Sequence, residues 1–270
     1  MRPTTEFWRD PSLPHVESRR ACDSRACYRP HSHDTFSIGA VDAGRSVFSG
    51  ASSGSRVLQA GSVVAVPAGC VHACNPMPGH AWSYQMLHLD ADWLGSLRDE
   101  SSPPPSTRHL GVVHVSDDRT RYRDYCTLNT LLFSDAAVEE KDAALIAFVG
   151  DLEQPPGTPV ALGSDVASLH HRLQPAMAQL RGQLSRTPPL AELATAVHMS
   201  RYQLIRAFRR ATGLTPHAWQ MDQRIRQARL QLRDGEAMAS VAHGLGFADQ
   251  SHFQRVFKAH AATTPGHYRR

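Results

Sequence analysis

No apolar run in this sequence approaches the 18 or so residues that a membrane helix needs, which argues against a helical span. The first twenty residues, MRPTTEFWRDPSLPHVESRR, have no apolar stretch of the secretory-leader type. Export is therefore not expected, and a cytoplasmic location is. Cysteine is scarce and odd in number: Cys22, Cys27, Cys70, Cys74 and Cys126. That count reads as free thiols in a reducing compartment, not as a disulfide framework. Acidic residues are short in one region only. From Val166 to Arg270 there are 15 Lys/Arg against 5 Asp/Glu, whereas the other 165 residues hold 14 and 20. A net of +10 beside a net of −6 gives the overall +4. A basic C-terminal part beside an acidic N-terminal part fits a DNA-binding module with a separate sensing module. A basic membrane-surface domain is the other reading that charge alone allows. A length of 270 residues suggests two domains, expected at 1–160 and 166–270.

The most informative stretch is the last thirty residues, SVAHGLGFADQSHFQRVFKAHAATTPGHYR from Ser240. Val241, Leu245 and Phe247 are apolar, and Gly246 breaks the pattern between two short helical segments. Asp249 can cap a helix running from about Gln250 to His260. Phe253, Val256 and Phe257 share one stripe of it. Gln250, Ser251, Gln254, Arg255 and Lys258 share the opposite one. Glutamine and arginine suit base edges in the major groove, and lysine suits phosphates. Taken alone, such a helix could equally be amphipathic with a solvated face. A second copy upstream weighs against that. Leu190 to Gly213 reads LAELATAVHMSRYQLIRAFRRATG. Ser200 caps its second helix, Arg201 to Ala211. Leu204, Ala207 and Phe208 face inward, and Arg201, Tyr202, Gln203, Arg206, Arg209 and Arg210 face out or along the rim. FRRATGLTP from Phe208 and FKAHAATTP from Phe257 repeat the phenylalanine, the basic residue and the Thr-Pro. Thr215-Pro216 then starts a linking helix that reaches about Arg233 and stops at Asp234-Gly235.

Two helix-turn-helix units joined by a long helix resemble the DNA-binding domain of AraC/XylS-type transcriptional regulators. The match rests on Gly246-Phe247, Asp249-Gln250-Ser251, Phe253, Arg255, Phe257-Lys258, Thr264-Pro265 and Tyr268-Arg269, and spans roughly Pro175 to Arg270. Two positions depart from the pattern. His198 stands where the first turn usually has glycine, and Ala262 where a helix-terminating glycine is usual. The resemblance implies that the two second helices enter successive major grooves about 34 Å apart. It makes Tyr202, Arg206, Gln250, Ser251, Gln254 and Arg255 base-edge candidates. Arg201, Arg209, Arg210 and Lys258 become phosphate candidates. Ser200 and Gln203 complete the DNA-facing set. The implied partners are double-stranded DNA, RNA polymerase, a second copy of the chain and a small-molecule effector, in a nucleoid-associated bacterial protein.

The N-terminal part reads as many short strands: Thr35 to Val41, Gly44 to Ser49, Arg56 to Gln59, Ser62 to Val66, Val71 to Cys74 and Ala81 to Leu89. Gly50 to Gly54, Ala60-Gly61 and Pro76 to Gly79 read as turns. Residues 1 to 20 read as an irregular arm. Gly61, Pro67, Gly69, His72 and Asn75 resemble the second cupin motif, and His31 and His33 the opening of the first. The glutamate expected shortly afterwards is absent, with Ser37, Ile38 and Gly39 in its place. The expected fold is α+β, a cupin-like β-barrel with a helical pair followed by an all-α domain. Two histidines at i and i+2 share a strand face, so His31, His33 and His72 are expected to converge. With Trp82, Tyr84 and His88 they form the candidate effector pocket, suited to an amino acid or similar compound. Cys70 and Cys74 share the face of His72 if that stretch is extended. Three imidazoles suit Zn²⁺ or another transition metal, which makes a metal-dependent cupin enzyme the competing class. The missing carboxylate favours neutral histidines, no resident cofactor and no catalytic residues. Asp117 to Phe133 and Ala136 to Leu152 have helical spacing and are expected to carry dimer contacts through Leu128, Leu131 and Leu132, or else to pack on their own barrel. Ser101 to Ser106 reads as a loop and Glu153 to Gly163 as the interdomain linker. Ser164 to Leu173 reads as a short helix before Pro175 opens the next one.

Overall fold

A computed structural model describes residues 3–50, 54–99, 112–152, 158–160 and 164–269. Among these residues, ten strands make two antiparallel sheets: β1 (Thr4–Trp8), β2 (Val16–Ser24), β3 (Phe36–Ala43), β4 (Arg45–Gly50), β5 (Gly54–Gln59), β6 (Val63–Val66), β7 (His72–Pro76), β8 (Trp82–Leu89), β9 (Val113–Ser116) and β10 (Thr158–Val160). The larger sheet runs β1-β2-β8-β3-β6-β9-β10 and the smaller β5-β4-β7. Phe48 and Leu58 of the smaller sheet pack with Val41, Val64, Val66, Trp82 and Tyr84 of the larger. Because side chains alternate across a strand, the larger sheet has a second apolar face. Helices α1 (Ala91–Asp99), α2 (Arg119–Leu132) and α3 (Val138–Leu152) cover it. Tyr125, Leu128, Leu132, Leu145 and Val149 join Phe36, Ile38, Leu87 and Leu89 in one core.

The six expected strands are present within a few residues of their expected ends. Other expectations are corrected. Residues 1 to 20 are not an irregular arm: β1 and β2 pair from Thr4↔Cys22 to Trp8↔Ser18. The signal was hidden because β2 buries Glu17, Ser18 and Arg19, so no apolar alternation appears. Helix α1 was not anticipated. Leu128 and Leu132 are 4% and 0% exposed, so the helical pair spends these side chains on its own sheet and they are not dimer contacts. Within the linker, Thr158–Val160 pairs with β9 as a strand, while 153–157 and 161–163 lie outside the described residues. The loop at 101–106 and most of the turn at 50–54 also lie outside them.

The C-terminal part is helical: α4 (Ser164–Gly182), α5 (Leu190–Ala196), α6 (Arg201–Thr212), α7 (Pro216–Arg233), α8 (Met238–Gly244), α9 (Gln250–Ala261) and α10 (Pro265–Tyr268). Pro175 does not open a helix; it sits inside α4. A proline there removes one hydrogen bond and costs about 3 kcal/mol. Leu173, Ala176, Met177 and Leu180, all essentially fully buried, hold the helix together across it. Each helix-turn-helix unit has its own core. The first gathers Leu193, Leu204, Phe208 and Trp219, and the second Ile225, Val241, Phe253 and Phe257. Helix α7 supplies residues to both. His198 (φ 54°) and Ala262 (φ 52°) adopt the left-handed conformation that their glycine-type positions demand.

Candidate functional site: a DNA-facing surface and an interdomain cavity

The surface expected to face DNA is built by helix capping. Ser200 Oγ accepts from Gln203 N, and Gln203 Oε1 accepts from Ser200 N, closing a capping box at the start of α6. Asp249 Oδ1 accepts from His252 N at 2.6 Å and starts α9. With Leu204 and Phe208 buried, α6 turns Arg201, Tyr202, Arg206, Arg209 and Arg210 outward. With Phe253 and Phe257 buried, α9 turns Gln250, Ser251, Gln254, Arg255 and Lys258 outward. Neither helix contains an acidic residue. Tyr202 is 68% exposed, with the Arg206 guanidinium 5.6 Å from its ring centre. The capping box occupies the Gln203 side chain, which therefore serves the helix start before any base.

The second feature is a cavity of about 190 Å³ lying between the sheets and α7. All six expected pocket residues, His31, His33, His72, Trp82, Tyr84 and His88, line it. His31 and His72 meet because they form a two-bond antiparallel bridge, His31 N to His72 O at 3.0 Å and His72 N to His31 O at 2.9 Å. Their ring centres are 4.9 Å apart, as are those of His31 and His33, and His33 lies 4.7 Å from His88. Trp82, Tyr84, Met86 and His88 alternate along one face of β8, with the Trp82 and Tyr84 rings stacked at 4.2 Å. Ser37, at the missing glutamate's position, instead contacts His88 Nδ1 at 2.9 Å, while Ile38 points into the core on the other side of the sheet. Cys74 lines the cavity, but Cys70 does not.

The histidines do not fit a divalent cation while α7 is docked. His31 and His72 are suitably held, each Nδ1–H donating to a backbone carbonyl (Arg29 O at 2.8 Å, Cys70 O at 2.9 Å) and leaving Nε2 as the ligand atom. The ligand atoms of His31, His33 and His72 lie within 4.8 Å of one another. His33, however, accepts a hydrogen bond at Nδ1 from the Arg229 guanidinium of α7, at 3.0 Å. Ligation through Nδ1 would displace Arg229, and ligation through Nε2 would move the ring proton onto the nitrogen that Arg229 needs. Burial, then the neighbouring histidines and Arg229, hold the His31 and His33 pKa values well below 6.5, and for His88 burial with Arg229 and Arg19 outweighs the opposing pull of Glu17 and brings it down to about 4. For His72 burial alone outweighs its hydrogen bond to Cys70 O. These are neutral imidazoles.

Sequence reasoning placed the pocket inside the barrel and missed the groups that complete it. Glu17 and Arg19 come from β2, and Arg226, Arg229 and Arg233 from α7. Burial pushes the Glu17 carboxyl up, but Arg9 at 2.7 Å, joined by His88 and Arg233, outweighs it and the pKa ends below 4.5. Arg226 pairs with Asp34 and also donates to Ser32 Oγ. Buried Asp222 of α7 accepts from Ser32 N at 2.9 Å and from the Ser32 hydroxyl. The one sequence signal was the Glu17, Arg19, Ala21 alternation, charged residues at strand spacing next to an apolar Val16.

Comparison with known proteins gives a consistent picture. Residues 13–126 match the profile of the AraC-like ligand binding domain, and residues 193–270 that of a helix-turn-helix domain. The arabinose operon regulatory protein of Salmonella typhimurium is 25% identical over 232 residues, covering 79% of this chain and 76% of that protein. The HTH-type transcriptional regulator MtrA of Neisseria gonorrhoeae is 35% identical over 80 residues, 29% of this chain and 27% of its own length. The crystal structure of ToxT from Vibrio cholerae shares the two-domain fold, with a TM-score of 0.55, 12% identity and coverage of 99% of this chain and 96% of that one. With a ligand-binding domain ahead of two helix-turn-helix units, the chain belongs to the AraC family of transcriptional regulators.

Proposed function

We propose that this regulator reads a specific duplex site with α6 and α9 and couples that binding to a small molecule held in the cavity between its sheets and α7. The observation that carries the reading is the pair of N-capped helices, each burying an apolar stripe (Leu204, Ala207 and Phe208 in one, Phe253 and Phe257 in the other) and exposing arginine and glutamine with no acidic residue. Arg206 and Arg255 act at base edges, and Arg201, Arg209, Arg210 and Lys258 at phosphates. The cavity is the effector site because its wall is shared: barrel histidines and aromatics on one side, α7 arginines on the other. Since α7 supplies core residues to both units, a ligand there acts on the element that sets their relative position. The protein works in the bacterial cytoplasm, as a homodimer and with RNA polymerase as partner. Dimer contacts lie away from Leu128 and Leu132. Equilibrating the full chain with fragmented bacterial DNA and sequencing what is retained tests this. The expected outcome is a shared motif of two half-sites about one helical turn apart. Retention proportional to fragment length, with no motif, would overturn it.

A further inference from the structure

Among the described residues, two buried donors on the cavity wall lack acceptors. Arg19 of β2 is 9% exposed, and its Nε has no hydrogen-bond partner; Trp82 of β8 is 4% exposed, and its Nε1 has none. Both residues line the cavity. Buried N–H groups left unpaired cost free energy, so this pair calls for an acceptor within the space. The charges say which kind. Of the acids facing the cavity, Glu17 is held by Arg9, Asp34 by Arg226, and Asp90 by the amides of Asp92 and Trp93 at the start of α1. Arg19 and Arg229 contribute positive charge that none of these acids matches. The Arg19 guanidinium also lies among rings, 5.3 Å from the centre of Phe7, 5.6 Å from Tyr84 and 5.9 Å from Tyr28. A cation walled by aromatic faces, beside the stacked Trp82 and Tyr84, suits an anion carried on an apolar or aromatic body.

We propose that the cavity binds a small organic carboxylate, with Arg19 Nε and Trp82 Nε1 donating to it, and that Arg19 is the residue linking this ligand to the second recognition helix. The link is already built. Arg19 Nη1 donates to Ala261 O, the last residue of α9, at 3.0 Å in a buried contact. A carboxylate on the Nε edge leaves Nη1 on that carbonyl. One guanidinium then joins the ligand to the end of a DNA-reading helix, and the charge-assisted bond fixes its orientation. Arg29 N to Ala259 O, at 3.1 Å, is a second tie to the same turn and leaves that turn little room to drift. The inference rests on the cavity being the effector site, but it is tested without DNA.

The test is thermal melting of the full chain against a panel: the standard amino acids, straight-chain monocarboxylates, and aryl-acetates and aryl-propionates, each beside its primary amide. At least one carboxylate is expected to raise the melting temperature while its amide does not. Arg19→Met should abolish that shift, Arg19→Lys should keep part of it, and Trp82→Phe should weaken binding severalfold in a fluorescence or calorimetric titration. If Arg19→Met does not fold, Arg19→Lys and Trp82→Phe carry the comparison. Absence of any carboxylate shift, amides as effective as acids, or full shifts in Arg19→Met would each overturn the proposal. Duplex binding measured on the same preparations separates the two readings. A chain that binds carboxylates yet no DNA sinks the regulator reading alone. A chain that binds DNA yet no carboxylate sinks this one alone.

Discussion

Ala262 ends α9 at φ 52°, where its Cβ crowds the following carbonyl. Glycine would adopt the same conformation without that cost, at a smaller loss from its greater freedom when unfolded. Ala262→Gly should therefore stabilise the protein by about 1 kcal/mol, read from urea unfolding midpoints at unchanged slope. This position and His198 were legible in the sequence, because each stands where a left-handed residue is required. Glu17 and Arg19 were not, since polar residues on a strand ordinarily announce solvent. The histidines give a second expectation at this scale. His88 has its pKa lowered to about 4 when folded, from 6.5 when exposed, so between those values the unfolded chain binds more protons. Stability is then fully present above pH 6.5 and is lost as the pH falls toward about 4. The shifts at His31, His33 and His72 act in the same direction. Melting temperature should fall steadily across that window, and less steeply in His88→Gln. A flat profile would mean that these rings are solvated.

At the scale of elements, the clearest sequence signal was periodicity with caps. Helices α6, α7 and α9 lie within two residues of their expected ends, because Ser200, Thr215 and Asp249 each accept an amide of the first turn. Strand β2 and the continuity of α4 across Pro175 escaped the sequence reading for opposite reasons. Burial of polar side chains hid the strand, and a proline advertised a break that tertiary packing overrode. Gly246 shows how an element boundary is fixed by a neighbour. It joins α8 to α9 at φ 71°, and a Cβ there would lie 2.0 Å from Ser185 O. That carbonyl belongs to the loop after α4, so the second turn docks on the end of a helix of the first unit. Gly246→Ala should destabilise by roughly 1–3 kcal/mol from the backbone conformation alone, with the clash added to it. Urea unfolding reads the loss, and a variant as stable as the parent would show that the turn is not packed in this way.

For the whole molecule, the N-terminal domain grips both DNA-binding units. Val71 joins the core of the first, and Phe7 packs on that of the second, where Arg9 donates to Tyr268 O at 2.7 Å. Between them, the Ser32–Asp222 and Asp34–Arg226 pairs hold α7 against the cavity mouth. None of this interface was legible in the sequence, because its residues are a few apolar and several polar side chains, far apart along the chain and individually ordinary. The division into two domains was legible, since charge segregates and the doubled motif is confined to the C-terminal part.

The central claim is that α6 and α9 read sequence while the flanking arginines hold the backbone. The most direct test compares the parent chain with Arg206→Ala, Arg255→Ala and Arg209→Ala on a retained site and on scrambled duplex, across a salt series. Arg206→Ala and Arg255→Ala should each lose about 1–3 kcal/mol on the specific site and little on scrambled DNA. Arg209→Ala should lose about equally on both and lower the slope of log affinity against log salt by about 1. Equal, sequence-independent losses in all three variants would contradict the account.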